Sequence, residues 1–565
     1  MVAQLYGGRP RPRVAFDVLV ALAIVALVFG VARLGAAWRA PARAVVAIDL
    51  SPWALPAYAL YSLSRGLIAY ALSLIFTLVY GYWAAKSRAA ERVLVPMLDV
   101  LQSIPVLGFM PALVLGLVGA FPSSNVGLEL AAILMIFTGQ AWNMTFSFYY
   151  SVKSVPADQI EVTTTYRFTW WQRLRWVELP FATIGLLWNS MMSMAGGWFF
   201  LMISEAFVLG DKDFRLPGVG SYMSVAAAKG DARAMVWAVV AMTLMIVALD
   251  QILWRPAVVW AQKFRVEEGG QGAPAESWML DLLRRSHLPG LVARLSRSAF
   301  ASRRRARPRA RRARPRIALA LQIVPLAALA ALMIWGGYEL VILLAALPAA
   351  TWLRLGVDGA LTLARVLAST ALGTAWALPA GLAIGLSPRL SRVLQPVVQV
   401  VASFPAPMLF PIVIVGLRAA GVSLGFGSVA LMLLGTQWYI LFNVIAGASA
   451  MPSDLREAAK SYRLGAWQRF RALYLPAVFP PLVTGWITAT GGAWNASIVS
   501  EMLVVKGETL ATRGLGAQVS DAAARGDFPR LAASVALMAA IVVLFHRAVW
   551  TPLHHLAETR FSLSK

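Results

Sequence analysis

Apolar stretches long enough to cross a bilayer recur along the whole of this 565-residue chain. A membrane-spanning helix needs roughly 20 apolar residues, and a helix satisfies its own backbone hydrogen bonds inside lipid. The chain is 14% charged, whereas soluble domains are about a quarter charged. The sequence therefore predicts an all-α polytopic membrane protein with about twelve transmembrane helices. These lie near residues 15–34, 64–85, 94–119, 128–150, 181–207, 234–255, 317–345, 361–386, 394–417, 425–447, 477–503 and 531–550.

The net charge of +25 is concentrated at a few places. Basic residues precede the first span, follow the second span, and form the run RRRARPRARRARPR from Arg303 after the sixth span. All three groups fall on one side of the membrane if the N-terminus is cytoplasmic, as the positive-inside rule expects. We therefore predict that both termini are cytoplasmic. The basic run is expected to contact anionic lipid headgroups and not nucleic acid.

The chain carries the same residues twice in the same order. EVTTTYRFTWWQRLRWVELP begins at Glu161 and EAAKSYRLGAWQRFRALYLP begins at Glu457, and 457 − 161 = 296. The later segments AAAKGD and AAARGD keep this offset, and nearer the start of each half an offset of 300 aligns Arg65 with Arg365. A duplication of about two hundred residues predicts two homologous halves. An even number of spans separates matching positions, so the halves share one orientation and enclose a path between them.

The duplication also sets the predicted domain boundaries. Residues 1–60 contain an extra transmembrane helix and the loop after it, and residues 61–263 form the first half. Residues 264–316 are a basic cytoplasmic linker in which EEGGQGAP is typical of a flexible segment. Residues 317–565 form the second half, which includes an extra leading transmembrane helix.

The repeated segment lies between two spans of its half, on the basic side of the membrane. An Asp three residues before Glu161 and another before Glu457 resemble a capping box. We predict a short capped helix that runs to about Trp171 or Trp467. One explanation of the segment is a membrane anchor, because Trp and Arg are common at headgroups. A docking surface for a cytosolic partner also explains why Glu, Tyr-Arg and Trp-Gln-Arg keep their order in both copies.

The second copy carries a recognisable family pattern. Glu457-Ala-Ala, then Trp467-Gln-Arg-Phe-Arg and Leu475-Pro, resembles the EAA loop of binding-protein-dependent ABC importer permeases, and the nitrate/sulfonate/taurine-type branch in particular. The resemblance implies a type I importer of the bacterial cytoplasmic (inner) membrane with two permeases fused in one chain. It also implies two kinds of partner. These are an ATP-binding subunit dimer, which would hold ATP and Mg²⁺, and a periplasmic or extracellular substrate-binding protein.

The same resemblance identifies the repeated segment as a coupling helix that sits in a groove of the ATP-hydrolysing subunit. The residues concerned are Glu161, Tyr166, Arg167, Trp171, Glu457, Ala458, Ala459, Tyr462, Arg463 and Trp467. The family usually has Gly six residues after the Glu, where this chain has Arg167 and Arg463. The first copy also has Val162-Thr163 in place of Ala-Ala. We therefore expect that the two copies need not dock in the same way.

Several kinds of chemistry have no support in the sequence. The chain has no phosphate-binding loop of the form G-x-x-x-x-G-K-[ST], so we expect no ATP hydrolysis, no enzymatic activity and no cofactor in the chain itself. It has no cysteine, which excludes disulfides and thiolate metal sites. The adjacent His554 and His555 would point apart on a helix, and no metal site is predicted.

The fifth and eleventh spans carry polar and aromatic residues at helical spacing. The residues predicted to line a substrate path between the halves are Met194, Trp198, Trp494, Asn495 and Ser497. Packing alone would explain the two tryptophans and Asn495 equally well. Carboxylates within spans are costly and face the bundle interior. We predict that Glu205 and Glu501 are structural and pair with an arginine such as Arg65 or Arg365.

The class of transporter is not decided by the duplication alone. An ATP-driven importer permease explains the paired cytosolic helix. An ion-coupled secondary transporter with two parallel six-helix halves is also compatible with the duplication, and a membrane scaffold for enzymes would carry out no transport. The branch resemblance implies a small organic or oxo-anion as the solute.

Overall fold

The computed structural model describes residues 47–103, 105–209, 212–264, 279–280, 331, 334–505 and 508–561. The first predicted span, nearly all of the basic linker and the first part of the seventh predicted span lie outside these residues. The described part of the seventh span contains the apolar helix Ile334–Ala345.

The first half is a series of helices interrupted by one short antiparallel hairpin. In chain order the elements are α1 (Leu55–Phe76), α2 (Arg88–Ser103), α3 (Val106–Ala120), α4 (Val126–Lys153), α5 (Ala157–Thr165), α6 (Trp170–Arg173), α7 (Leu179–Ser204), β1 (Ala206–Leu209), β2 (Lys212–Arg215), α8 (Val219–Lys229), α9 (Ala232–Leu249) and α10 (Arg255–Ala261). A π-helical turn, Thr77–Gly81, extends α1 into the helix Tyr82–Lys86, and similar turns at Leu174–Glu178 and Asp250–Trp254 join α6 to α7 and α9 to α10.

The second half repeats this order. Its elements are α11 (Ala349–Leu386), α12 (Pro388–Ala402), α13 (Ala406–Ala419), α14 (Leu424–Ser449), α15 (Ser453–Ser461), α16 (Ala466–Arg469), α17 (Leu475–Ser500), β3 (Met502–Val505), β4 (Glu508–Ala511), α18 (Leu515–Arg525), α19 (Phe528–Phe545) and α20 (Thr551–Arg560). π-helical turns at Phe470–Tyr474 and His546–Trp550 occupy the same places as the last two of the first half.

Eight helices of the described part are long and apolar enough to cross a membrane. They are Pro52–Lys86, Val126–Lys153, Trp170–Ser204, Ala232–Phe264, Ala349–Leu386, Leu424–Ser449, Ala466–Ser500 and Phe528–Ala557. Each occupies the place of one predicted span. The prediction of an all-α polytopic membrane protein is confirmed, with two short hairpins as the additional feature.

Two of the predicted spans, 94–119 and 394–417, are broken and not continuous. In the second half α12 and α13 form a pair bent by 85°, and in the first half α2 and α3 are separate helices. The breaks lie at Pro105 and Pro405, which hold the N-cap positions of α3 and α13. Proline disfavours helical geometry in the residue before it, so each span turns at this point.

A buried arginine ties four parts of the first half together. Arg65 on α1 donates from Nε and Nη2 to the two carboxylate oxygens of Glu129 on α4, at 2.6 and 2.7 Å, and from Nη1 to Glu205 Oε1 at 2.7 Å. Glu205, after α7, also accepts hydrogen bonds from Ser62 Oγ at 2.6 Å and from the N–H of Gly220 on α8 at 2.8 Å. Each charge of this cluster therefore has a partner, as burial requires.

The second half has a matching ion-pair cluster around Arg365, with one carboxylate fewer. Arg365 Nη1 donates to Glu501 Oε1 at 2.8 Å, and Thr362 Oγ1 donates to the same oxygen at 2.9 Å. In place of Glu129 this half has Gly425, whose carbonyl oxygen accepts from Arg365 Nε at 3.2 Å. Glu205 and Glu501, which the sequence predicts to be structural, thus contact Arg65 and Arg365 as expected.

Glycine allows α8 and α18 to approach these carboxylates closely. A Cβ atom on Gly218 would lie 2.3 Å from Glu205 Oε2, and a Cβ atom on Gly514 would lie 2.2 Å from Glu501 Oε2. No side chain fits at such distances, so the start of each of these helices requires glycine.

The two halves pack into one apolar core. Its largest buried cluster includes Trp198 of the first half and Met408 and Trp494 of the second. A hydrogen bond also joins the halves, because the N–H of Val106 at the start of α3 donates to Asn495 Oδ1 on α17 at 2.8 Å.

We expect Glu205→Ala and Glu501→Ala to lower the midpoint temperature of thermal unfolding of the detergent-purified chain. Glu501→Ala leaves the partly buried Arg365 without a carboxylate, whereas Glu205→Ala leaves Arg65 with Glu129 alone and removes the acceptor of Ser62 and Gly220. Breaking a buried pair costs about 3–5 kcal/mol, so we expect the larger loss in Glu501→Ala. The matched control is Glu508→Ala, which removes an ion pair with Arg418 whose side chains are 60% and 55% exposed; such pairs contribute about 0–1 kcal/mol. Unfolding midpoints equal to that of the control would show that the clusters do not hold the fold.

Candidate functional site

The two repeated segments form matching loops at one end of the molecule. Each contains a short helix, α5 or α15, followed by α6 or α16. The short helices begin after Pro156 and Pro452, which hold the N-cap position and offer no side-chain oxygen. The predicted capping box is therefore wrong: the two aspartates lie in the first turn, and Glu161 and Glu457 lie in mid-helix. Both helices also end before the Tyr-Arg pair, earlier than predicted.

Each short helix ends in a left-handed turn at the arginine of the Tyr-Arg pair. Arg167 has a φ of 50° and Arg463 a φ of 52°. The N–H of Phe168 donates to Thr163 O at 2.9 Å and that of Arg167 to Thr164 O at 3.0 Å, which is the Schellman arrangement. Glycine adopts a positive φ most readily, so the Gly of the EAA pattern fits this position. This chain forms the same turn with arginine, at a cost of about 1–2 kcal/mol.

The glutamine of the repeated Trp-Gln-Arg triplet fixes the start of the next helix. Gln172 Oε1 accepts the N–H of Thr169 at 2.8 Å, and Thr169 Oγ1 accepts the N–H of Gln172 at 3.3 Å. This is a capping box. In the second copy Gln468 Oε1 accepts the N–H of Gly465 at 2.9 Å. Sequence reasoning missed this role, although Thr169-x-x-Gln172 has the spacing of the capping pattern.

Most of the residues assigned to coupling are exposed. Tyr166 and Tyr462 are 73% and 80% exposed, and Trp171 and Trp467 are 53% and 69% exposed. The other exposed members are Glu161, Arg167, Glu457, Ala458 and Arg463. Ala459 differs, because it is 5% exposed and faces its own half. Exposed aromatic side chains beside arginine are typical of protein interfaces and of lipid headgroup contacts.

A cavity of about 500 Å³ lies between the two halves. Matching positions of both halves line it, including Trp142 with Trp438 and Gly139 with Gly435. None of the described residues that line it is a carboxylate, and Arg547 contributes a positive charge. Across the described part of the chain there is no group of three or more His, Cys, Asp or Glu side chains that could hold a metal ion.

Two helices begin at the wall of this cavity. Val106 at the start of α3 and Ala406 at the start of α13 both line it. The first N–H groups of a helix have no partner within the helix and carry partial positive charge. Asn495 accepts the N–H of Val106, whereas the matching residue of the first half, Phe199, has no acceptor to offer to Ala406. The two helix starts and Arg547 make the cavity favourable for negative charge.

The structure brings two of the five predicted path residues to this cavity. Trp494 and Asn495 line it. Trp198 is 2% exposed and packs against α1, and with Met194 it borders a separate narrow gap. Ser497 is buried and donates to the backbone oxygen of Trp494 at 2.7 Å.

Two segments of the chain, residues 77–253 and 373–549, match the family described as binding-protein-dependent transport system inner membrane component. The glycine betaine transport system permease protein OpuAB of Bacillus subtilis is 27% identical over 197 residues, which is 34% of this chain and 63% of that protein. The nitrate import permease protein NrtB of Synechococcus elongatus is 27% identical over 112 residues, or 20% and 39% of the two chains. The putative aliphatic sulfonates transport permease protein SsuC of Bacillus subtilis is 26% identical over 144 residues, or 26% and 49%.

These alignments span less than two thirds of each curated relative. The family match itself covers more than half of the chain and falls once on each half. The predicted resemblance to the nitrate/sulfonate-type permeases, with two permease halves in one chain, is thus confirmed. The chain belongs to the family of binding-protein-dependent transport system inner membrane components, the permeases of ABC importers, and carries two copies of its domain.

Proposed function

We propose that this chain forms the translocation path of an ATP-driven importer for a small organic or oxo-anion, and that its two loops couple it to two ATP-binding subunits. The observation that carries this proposal is the pair of exposed loops at the same end of both halves. Each loop presents a tyrosine and a tryptophan on a backbone held by the left-handed turn and by the bond to glutamine. These hydrogen bonds restrain the loop backbone, which suits a surface that transmits movement from a partner.

Each loop leads directly into a helix that lines the cavity. α6 and α16 continue through a π-helical turn into α7 and α17. Phe199 on α7 and Asn495 on α17 lie at the cavity wall. At 1.5 Å per residue, Asn495 is about 30 Å along the helix from Leu475, where α17 begins. A displacement of the loop would reach the cavity along a single helix.

The partners would supply what this chain lacks. ATP and Mg²⁺ would be held by the ATP-binding subunits, because the sequence has no phosphate-binding loop. A substrate-binding protein would deliver the solute at the opposite end, where the hairpins lie, about 39 Å along α7 from the loop. In this arrangement the loops and both termini are cytoplasmic, on the basic side of the membrane.

The cavity supports an anionic solute. Its described lining has no carboxylate, and it has Arg547 and the starts of two helices, which favour negative charge. The aromatic lining suits a solute that also has an apolar part. The relatives are named for transport of glycine betaine, nitrate and aliphatic sulfonates, and the last two of these are anions.

We expect Glu457→Arg to weaken binding of the ATP-binding subunit and ATP-driven uptake while the chain still inserts and folds. The side chain is exposed in mid-helix, so the substitution removes no buried contact, and reversal of a charge at an interface is unfavourable. Glu161→Arg should act in the same direction and more weakly, because its loop departs further from the EAA pattern. Co-purification of the ATP-binding subunit and uptake into vesicles would measure both effects.

Glu508→Arg is the matched control for the co-purification measurement, because it makes the same charge change on an exposed residue at the opposite end. Uptake is compared with the unaltered chain, because Glu508 lies at the end proposed to receive the substrate-binding protein. Full ATPase binding and uptake by both loop variants would mean that the loops are membrane anchors. Uptake that ignores ATP but stops when the ion gradient is collapsed would instead favour a secondary transporter.

We expect Asn495→Ala to change the KM or the maximal rate of uptake by about two- to tenfold. It removes the acceptor for the Val106 N–H at the cavity wall without removing a charge or a large side chain. The control is Asn189→Ala on α7, whose amide donates to Gly185 O on its own helix. Equal uptake by both variants at equal expression would remove Asn495 from the path.

A further inference from the structure

The arginine of the Trp-Gln-Arg triplet is neutralised within the chain in the first half. Arg173 Nε donates to Glu178 Oε1 at 2.7 Å, and Lys86 Nζ, at the end of the first long helix, contacts the same oxygen. The Glu178 side chain is fully buried. Arg173 and Glu178 bracket a π-helical turn, whose i to i+5 spacing places them side by side. The first loop is thus tied to its own membrane helices.

A second ion pair strengthens the same end of the first half. Glu91 near the start of α2 accepts hydrogen bonds from Lys153 Nζ at 2.8 Å and from Tyr149 Oη, both on α4. The hydrogen bond from Lys153 lowers the pKa of the Glu91 carboxyl, and that from Tyr149 adds to the effect. The carboxylate therefore remains ionised and paired at neutral pH.

Neither arrangement recurs in the second half. Arg469 matches Arg173, but Tyr474 stands where Glu178 would be and Leu386 where Lys86 would be. The positions of Glu91, Tyr149 and Lys153 are taken by Ser391, Ile445 and Ser449. Within the described residues, Arg469 Nε is buried and has no hydrogen-bond partner. A buried donor without an acceptor is destabilising, more so when it belongs to a charged group.

The two loops also differ in net charge. Residues 156–178 contain three acidic and three basic residues and are neutral, whereas residues 452–474 contain two acidic and five basic residues and carry +3. The extra positive charge of the second loop includes that of Arg469 and lies in the same segment as the exposed Tyr462 and Trp467. Arginine pairs most strongly with a carboxylate, through charge-assisted hydrogen bonds. The charge of the second loop therefore suits an acidic partner surface, whereas the first loop has no such surplus.

We propose that Arg469 is a docking residue whose acceptor is a carboxylate of the ATP-binding subunit on the second loop, so that the two loops are not interchangeable. The inference rests on the proposed function, because it takes the loops to be the docking sites. In the first half the chain itself supplies the carboxylate, through Glu178. In the second half the partner supplies it to the partly exposed Arg469 side chain, which turns outward on docking because its Nε is buried in the chain alone.

The first test compares Arg469→Gln with its matched control, Arg173→Gln. The full chain is placed in nanodiscs, and its affinity for the ATP-binding subunit that co-purifies with the unaltered chain is measured over a range of NaCl concentrations. We expect Arg469→Gln to lower the affinity about tenfold, to reduce its salt dependence, and not to lower the unfolding temperature of the chain alone, because it removes a buried donor that has no acceptor. Arg173→Gln should lower that unfolding temperature and change the affinity less.

The second test provides the missing carboxylate within the chain. Tyr474→Glu places an acceptor where Glu178 stands in the first half. Tyr474→Gln is the reference, because both variants lose the packing of Tyr474 against its apolar cluster and only Tyr474→Glu adds a charge. Relative to Tyr474→Gln, we expect Tyr474→Glu to have a higher unfolding temperature and weaker binding of the ATP-binding subunit, because Arg469 no longer needs the partner. A purely structural role for Arg469 would not give opposite effects on stability and docking.

The outcomes separate this proposal from the one on which it rests. Unaltered affinity and salt dependence in Arg469→Gln would overturn the docking role of Arg469 and leave the proposed function intact. A stability that depends on Arg469 only in nanodiscs with anionic lipid would overturn it as well and assign the acceptor to a lipid phosphate. Failure of the unaltered chain to bind an ATP-binding subunit would overturn the proposed function itself.

Discussion

A buried carboxylate at the end of the long helix of each half determines how the other elements pack. Glu205 and Glu501 each accept hydrogen bonds from an arginine, a hydroxyl group and a backbone N–H. These donors lie on elements that are distant in sequence. A charge at such depth is tolerated only when it is fully paired. The first membrane helix and the helix after the hairpin must therefore meet at this point. One end of α7 and of α17 is fixed in this way, and the other end of each continues from a repeated loop.

The duplication made this part of the fold predictable from sequence. The two offsets bring an arginine and a glutamate to matching places in both halves, and burial then requires that they meet. The broken spans were not predictable in the same way. Pro111 and Pro411 lie inside helices that continue through them, whereas Pro105 and Pro405 mark breaks. Proline permits both outcomes, and the packing between the halves decides between them.

The candidate site was less predictable than the fold. Trp198 and Trp494 have matching positions and similar burial, yet only Trp494 borders the central cavity. Spacing along a helix identifies a shared face but not what that face meets, because that depends on the neighbouring helix. The loops show the same limit. The exposed aromatic residues could be read from the sequence, whereas the left-handed turn at Arg167 depends on hydrogen bonds that residue type does not reveal.

The fusion of the two halves has a consequence for symmetry. In a dimer of identical permeases every position occurs twice with the same residue. Here the position of Phe199 in the first half is occupied by Asn495 in the second, and the position of Glu178 by Tyr474. No dimer of identical subunits can have such differences between matching positions. The molecule therefore has a distinguishable left and right side in a fixed one-to-one ratio. A single substitution can therefore alter one side while the other serves as its internal reference.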